Sequence, residues 1–295
     1  MKLSLGPILY YWTRETLLDF YEQAASWPVD IVYLGETVCS RRHTFRTEDW
    51  LHVAGMLAAA GKEVVLSSQA LIESESDLKT LRRLCSNGKF SVEANDMGAV
   101  RLLSGTPFVI GPHINIYNPH TLEILAEAGA KRWVVPVEMS RQMLADLLEQ
   151  DTHAMETEIF AYGRLPLAFS ARCFTARRYN LPKDDCQFRC LDEPYGLTLK
   201  TREGQPFLAL NGTQTQSASV YNLLAELESM QGLVHVVRIS PQPQHTGDVA
   251  ALFHAALNGA TTPAHAAREL APLMPEAACN GYWYGRPGLD QVAIP

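Results

Sequence analysis

Short β-branched runs alternate with helix-length segments along most of this chain, and that alternation limits its fold more than any other feature. LSLGPIL precedes TRETLLDFYEQAA, DIVYLGE precedes TEDWLHVAGMLAAAG, and KEVVLSS precedes SESDLKTLRRLCSNG. FSVEAN is followed by MGAVRLLSG, FVIGPHI by NPHTLEILAEAGA, and RWVVPVE by SRQMLADLLEQ. A seventh run, METEIFAYG, leads into a cysteine-rich stretch, and an eighth, LVHVVRIS, precedes GDVAALFHAALNGA. Between these two, the pattern predicts an extended piece, PFLALNG, and a helix over QSASVYNLLAELESM. Eight strands with helices between them predict an α/β fold, a closed parallel (β/α)8 TIM-type barrel, with an open doubly wound sheet as the alternative. The runs are too continuously apolar for an antiparallel sheet with one wet face. No Gly-x-Gly-x-x-Gly follows an early strand and no Walker-type lysine motif occurs, so nothing favours a nucleotide-binding fold.

A length of 295 residues suits one such barrel, and no linker marks a boundary, so residues 1–295 are expected to form a single domain. The departure from regularity is residues 170–205, an insertion after the seventh strand. Long irregular loops in compact domains are usually functional or disordered. The 32 acidic residues outnumber the 25 basic ones, giving a formal net charge of -7, which works against a polyanionic partner such as nucleic acid. Gly6 and Pro7 interrupt the first apolar run, which reads as a strand rather than a signal peptide. No run is long and uncharged enough for a transmembrane segment. A cytoplasmic location is therefore expected, where the six cysteines serve as buried apolar groups, metal ligands or redox groups rather than as disulfides.

Barrel topology sorts those cysteines. Strand-to-helix loops emerge at the carboxyl face and helix-to-strand loops at the opposite one. Cys39, in YLGETVCSRRHTF, follows strand two, and Cys173, Cys186 and Cys190 follow strand seven, so all four are expected at the carboxyl face. Cys85 ends the helix before strand four and is expected at the other end, while the path to Cys279 is not fixed. Four thiols from two distant loops make a metal-site constellation. Their spacing lacks the paired C-x2-C knuckles of most structural zinc sites. A 4Fe-4S cluster accepts four thiolates at irregular spacing and is favoured, with zinc and unligated thiols as alternatives. Arg172, Arg177, Arg178 and Arg189 flank the thiols and are expected to offset the negative charge of such a centre.

ETEIFAYGRLPLAFSARCFTARRYNLPKDDCQFRC, together with YLGETVCSRRHTF, MKLSLGPILYYW, LALNGTQTQSASVYNLLAELESMQGLVHVVRISPQ and the late CNGYW, closely resembles the collagenase-like U-type peptidase family over nearly the whole chain. The likeness is to the branch that works in oxygen-independent ubiquinone biosynthesis. The resemblance implies a barrel carrying a 4Fe-4S cluster, and a role in hydroxylation rather than proteolysis. It implies a heterodimer with a paralogue, UbiU, and the lipid-binding accessory protein UbiT. The implied reaction hydroxylates the aromatic ring of the quinone precursor without O2, with prephenate as oxygen source. It also implies Cys39, Cys173, Cys186 and Cys190 as cluster ligands. The wider family signature, Glu-x-Phe-x-x-Gly followed by two cysteines, matches at Glu158, Phe160, Gly163 and Cys173, but Pro166 stands where the first cysteine is expected. The resemblance implies that Cys39 supplies the missing thiolate from another loop.

The alternatives are a non-catalytic, metal-stabilised partner subunit, a peptidase and an RNA-base hydroxylase. A peptidase is disfavoured because neither His-Glu-x-x-His nor Gly-x-Ser-x-Gly occurs, and an RNA substrate by the acidic balance. Candidate catalytic residues are Glu36 and Glu93 at strand ends, His113 after strand five, and Arg172. Each acidic candidate, including Glu138, Glu156 and Glu158, has a bland reading as an ion-paired carboxylate, and His113 as a structural histidine. Asn115 and Asn118 either orient a polar substrate or cap a helix. Arg41, Arg42 and His43 either bind a carboxylate-rich molecule, support the thiol loop or are solvated. Leu223, Leu224, Leu227 and Met230 read as a core stripe, and Cys85 and Cys279 as unligated thiols.

Overall fold

A computed structural model of the chain describes residues 1–151 and 153–293. Seven strands arise where the apolar runs lie: β1 (Lys2–Leu5), β2 (Ile31–Leu34), β3 (Glu63–Ser67), β4 (Ser91–Ala94), β5 (Phe108–Ile110), β6 (Ala130–Val134) and β7 (Glu156–Phe169). Helices α1 (Arg14–Ala24), α2 (Thr47–Ala59), α3 (Glu75–Cys85), α4 (Met97–Leu103), α5 (Pro119–Glu127) and α6 (Arg141–Leu148) fill the intervals. A short helix α7 (Phe174–Arg178) is followed by three strands, β8 (Leu197–Lys200), β9 (Pro206–Asn211) and β10 (Gln214–Asn222). Then come β11 (Val236–Ile239), α8 (Thr246–Leu257), α9 (Pro263–Leu270) and a two-residue strand, β12 (Ala278–Cys279).

Strands β1 to β7 pair in sequence order, all parallel, and β11 closes the circle by pairing in parallel with both β7 and β1. The fold is therefore the closed eight-stranded α/β barrel that the alternation predicts. Alternate residues point inward: Ile31, Tyr33, Val65, Val109, Val134 and Val236 fill the barrel as one cluster, whereas Leu3, Val32, Leu34, Val64, Leu66 and their kind face the helices. Helix starts are marked by oxygen caps, Thr13, Ser74, Asp96, Asn118, Ser140 and Thr262, each accepting a hydrogen bond from a first-turn N–H. Among the described residues no helix is long and apolar enough to cross a membrane.

One element departs from the sequence reading. The helix expected over QSASVYNLLAELESM is instead β10 followed by a 3-10 turn, Leu224–Met230. The reason is tertiary. Strand β7 runs past the rim of the barrel to Phe169, and its far half needs an antiparallel partner, which β10 supplies from Gln214↔Phe169 to Asn222↔Tyr162. Backbone pairing over this length overrides the helical spacing of the leucines. Leu223, Leu224, Leu227 and Met230 are nonetheless all buried, as a core stripe should be. Strands β8 and β9 extend the same antiparallel ribbon outward from the carboxyl face.

Candidate functional site

At the carboxyl face, the loop after β2 begins at Gly35. Its φ is +145°, and a Cβ there would stand 2.3 Å from the Ser67 carbonyl oxygen, so only glycine lets the chain leave β2 so close to β3. Glu36 then turns the loop: its Oε1 accepts from the backbone N–H of Val38 at 2.9 Å and of Cys39 at 3.0 Å. The Cys39 thiol that results is buried against Leu9, Val38 and Phe169.

The remaining thiols come from the segment after β7. Cys173 caps α7, its Sγ accepting from Ala176 N at 3.4 Å. Cys186 and Cys190 flank a turn in which Gln187 and Phe188 both take left-handed φ values, 51° and 52°, an uncommon state for residues with a Cβ. All four thiols line one cleft with Arg41, Arg42, Thr175, Ala176, Phe188, Arg189 and Gly212. Among the described residues, no carboxylate or imidazole lines it. Among the described residues no three His, Cys, Asp or Glu side chains meet at a position that would hold a single metal ion. Cys85, at the end of α3, and Cys279, in β12, lie elsewhere; burial pushes their thiols up to about 11 and about 12.

Arg42 is the buried cation of the cleft. Its Nη1 donates to the Leu9 carbonyl at 2.8 Å and its Nη2 to Asn211 Oδ1 at 2.7 Å, with Glu36 Oε1 3.7 Å away. Burial pushes the Cys39 thiol up to about 11 and raises Cys190, and in both cases the Arg42 guanidinium pulls the other way. Gly212, at φ +66°, leaves room for this guanidinium: a Cβ there would sit 3.1 Å from Arg42 Nη2. Arg41 ties the first loop to the second through Asp184. Of the flanking arginines named from sequence, Arg189 lines the cleft and pairs with Asp192, whereas Arg172, Arg177 and Arg178 point to solvent outside it. His43 is exposed and lines a groove between α2 and α3, not the cleft.

A second set of polar groups occupies the barrel itself. Arg238, on β11, donates from Nε to Glu158 Oε1 at 2.7 Å and stands 2.8 Å from Glu93 Oε1 through Nη2. Ser4 and Tyr33 also donate to Glu158. Toward the opposite end, Arg132 donates to Glu156 at 2.6 Å and Glu63 at 2.9 Å. Glu93, Glu156 and Glu158 are thus ion-paired carboxylates. Glu138 accepts from the Tyr117 hydroxyl, Asn115 is exposed, and Asn118 caps α5 by accepting from Thr121 N at 2.9 Å. Asn118→Ala should cost about 1 kcal/mol in a urea titration, with no effect on the thiol cleft.

His113 and Glu93 line a small cavity at the barrel mouth with Thr37, Asn95, Arg238 and Ser240. Burial, with Arg238 adding to it, pushes His113 down to about 3. Its imidazole is therefore neutral at pH 7. An unfolded histidine takes up its proton near pH 6.5 while the folded one does not, so stability is complete above pH 6.5 and falls as pH drops toward 3. At pH 5 the loss should be about 1–2 kcal/mol. The urea midpoint of His113→Gln should be correspondingly flatter between pH 7 and 5 than that of the parent.

The family model described as peptidase family U32 matches residues 17–292. The chain belongs to peptidase family U32. Among solved structures, the U32 peptidase Mk0906 is 12% identical, with a TM-score of 0.46 over 83% of this chain and 94% of that one. Tryptophan synthase of Mycobacterium tuberculosis is 10% identical at a TM-score of 0.40, covering 87% and 86% of the two chains. A putative dihydrodipicolinate synthetase of Pseudomonas aeruginosa is 13% identical at 0.39, covering 92% and 82%. Several residues that shape the carboxyl face of this U32 protein escaped the sequence reading: Arg238, Asn211 and Gly212 at first rank. A lone arginine inside the apolar run LVHVVRIS was a readable signal for the first, since a charge on a strand buried on both faces must be paired. Asn211 and Gly212 carried no such signal.

Proposed function

We propose that this U32 chain is a UbiV-type subunit that holds a 4Fe-4S cluster on Cys39, Cys173, Cys186 and Cys190. In this reading it forms a heterodimer with a UbiU-type paralogue and, with the lipid-binding protein UbiT, serves the oxygen-independent hydroxylation of the aromatic ring in ubiquinone biosynthesis, prephenate being the oxygen source. The observation that carries the reading is the convergence of four thiols from two remote loops on one cleft that, among the described residues, no carboxylate or imidazole lines. An all-sulfur donor set fits the iron–sulfur class, which is held by Cys thiolates.

When bound, the cluster supplies one-electron transfer. The chain's own residues prepare the cleft for it. A ligand must be a thiolate, yet burial favours the neutral thiol at Cys39 and Cys190; Arg42 supplies the opposing positive charge from a fixed position. Leu9, Val38 and Phe169 pack around Cys39 and exclude water there. Two of these side chains reach the barrel mouth, where Leu9 lines the cavity and Phe169 meets the His113 ring edge-on at 4.7 Å. A neutral His113 there offers a hydrogen bond without adding charge.

Purification without oxygen, followed by visible absorption and assays of iron and acid-labile sulfide, tests the reading. A brown protein with about four irons and four sulfides per chain is expected. A colourless, zinc-loaded chain would replace it with that of a metal-stabilised, non-catalytic partner.

A further inference from the structure

Arg42, Arg132, Arg164 and Arg238 are all buried, with 2–5% of their surface exposed. Three of them have carboxylates: Arg42 has Glu36, Arg132 has Glu63 and Glu156, and Arg238 has Glu93 and Glu158. Arg164 has none within ion-pairing distance among the described residues. Its Nη1 reaches only the Ser217 carbonyl, at 3.5 Å, and its Nε has no partner. A buried cation without a counter-charge is among the least favourable arrangements in a protein interior.

The surroundings of Arg164 are also polar and unsatisfied. Gln216 is fully buried; its amide lies against the Tyr10 hydroxyl, yet among the described residues neither amide atom makes a hydrogen bond of good geometry. A bulge keeps it and Arg164 at the same edge: three residues of β10, Ser217–Ser219, stand opposite Leu165 alone, between the pairs Gln216↔Pro166 and Val220↔Arg164. Bulges of this kind re-aim side chains next to functional sites. Tyr10, from the loop after β1, donates to Gln242 Oε1 at 3.2 Å and has both Arg164 and Gln216 as neighbours. Tyr195, half-buried, comes from the segment that follows the thiols and faces the same group. Burial pushes Tyr10 up to about 12 and raises Tyr195, with Arg164 opposing both shifts. Both phenols are therefore uncharged at neutral pH, so neither supplies the missing negative charge.

We propose that Arg164 and Gln216, with Tyr195 beside them, form a binding site for a small monocarboxylate, outside the thiol cleft. A guanidinium and a primary amide that both neighbour the Tyr10 hydroxyl offer the donors that a carboxylate accepts. One uncompensated positive charge matches one negative charge; a dianion such as phosphate would leave a net charge buried. The site does not depend on what the thiol cleft holds.

The test uses the full chain purified without oxygen, titrated with sodium acetate and sodium benzoate at constant ionic strength and followed by thermal unfolding and calorimetry. Sodium chloride and inorganic phosphate are the comparison anions. A saturable rise in Tm with either carboxylate is expected, and Arg164→Met should abolish it. The ligand-free Arg164→Met protein should unfold at the same temperature as the parent or higher, because an apolar side chain replaces an unpaired cation. A purely structural arginine would give a lower Tm instead. Gln216→Leu gives a second reading, with carboxylate affinity lowered about tenfold. No saturable response in the parent, a response to phosphate alone, or an undiminished response in either variant would overturn the proposal.

Discussion

Cys186→Ala/Cys190→Ala protein, purified without oxygen, should contain less than about a tenth of the parent's iron and sulfide, and its segment 170–205 should become the first site of proteolytic cleavage. The two effects share one cause, because metal binding and local folding are coupled where the ligands lie on otherwise weakly held chain. The 3-10 turns Lys183–Asp185 and Arg189–Asp192 contain no buried residue. Apart from the thiols they are tied down by contacts that include Lys183 to Glu73 and the Ala171 carbonyl, Arg41 to Asp184, the tilted contact of Tyr11 with Phe188, and Arg189 over the Tyr179 ring. Surface contacts of this kind contribute little each. Cys85→Ala is the control: its thiol sits at the other end of the barrel and its loss should leave iron content unchanged. Full iron content in the double variant would remove the ligand assignment and, with it, the redox reading.

The other large effect belongs to the barrel interior. Arg238→Leu should lower stability by about 3–5 kcal/mol, since it leaves Glu93 and Glu158 buried without their shared cation. That is a large share of the total for a protein of ordinary stability. Urea titration at unchanged m-value gives the measurement. Adding Glu93→Gln to Arg238→Leu should recover part of the loss, because Glu158 keeps Arg132 at 3.9 Å and the second change removes the charge that is left without a cation. If Arg238→Leu unfolds at the parent's urea concentration, the ion-paired centre contributes nothing and the barrel rests on its apolar side chains alone.

Much of the carboxyl face is legible in the sequence. Cys39 follows a strand, Cys173 to Cys190 follow another, and a parallel barrel sends both loops to one end; Cys85 falls at the opposite end by the same rule. Glu93, Glu156 and Glu158 read as either functional or ion-paired, and the structure pairs them. Arg172, Arg177 and Arg178 were expected to balance the thiols because they neighbour them in sequence. They face solvent, and the buried cation is Arg42 from the other loop, held by groups 33 and 169 residues away.

The alternation of strand and helix, and the end of the barrel at which each loop emerges, were set by the sequence alone, because both follow from periodicities within a dozen residues. Tertiary structure alone decided that QSASVYN is a strand, that Arg42 rather than Arg172 meets the thiols, and that Arg164 is left without a carboxylate among the described residues. Those outcomes depend on closure of the barrel and on the overhang of β7, which bring together groups far apart in the chain and for which local spacing carries no information.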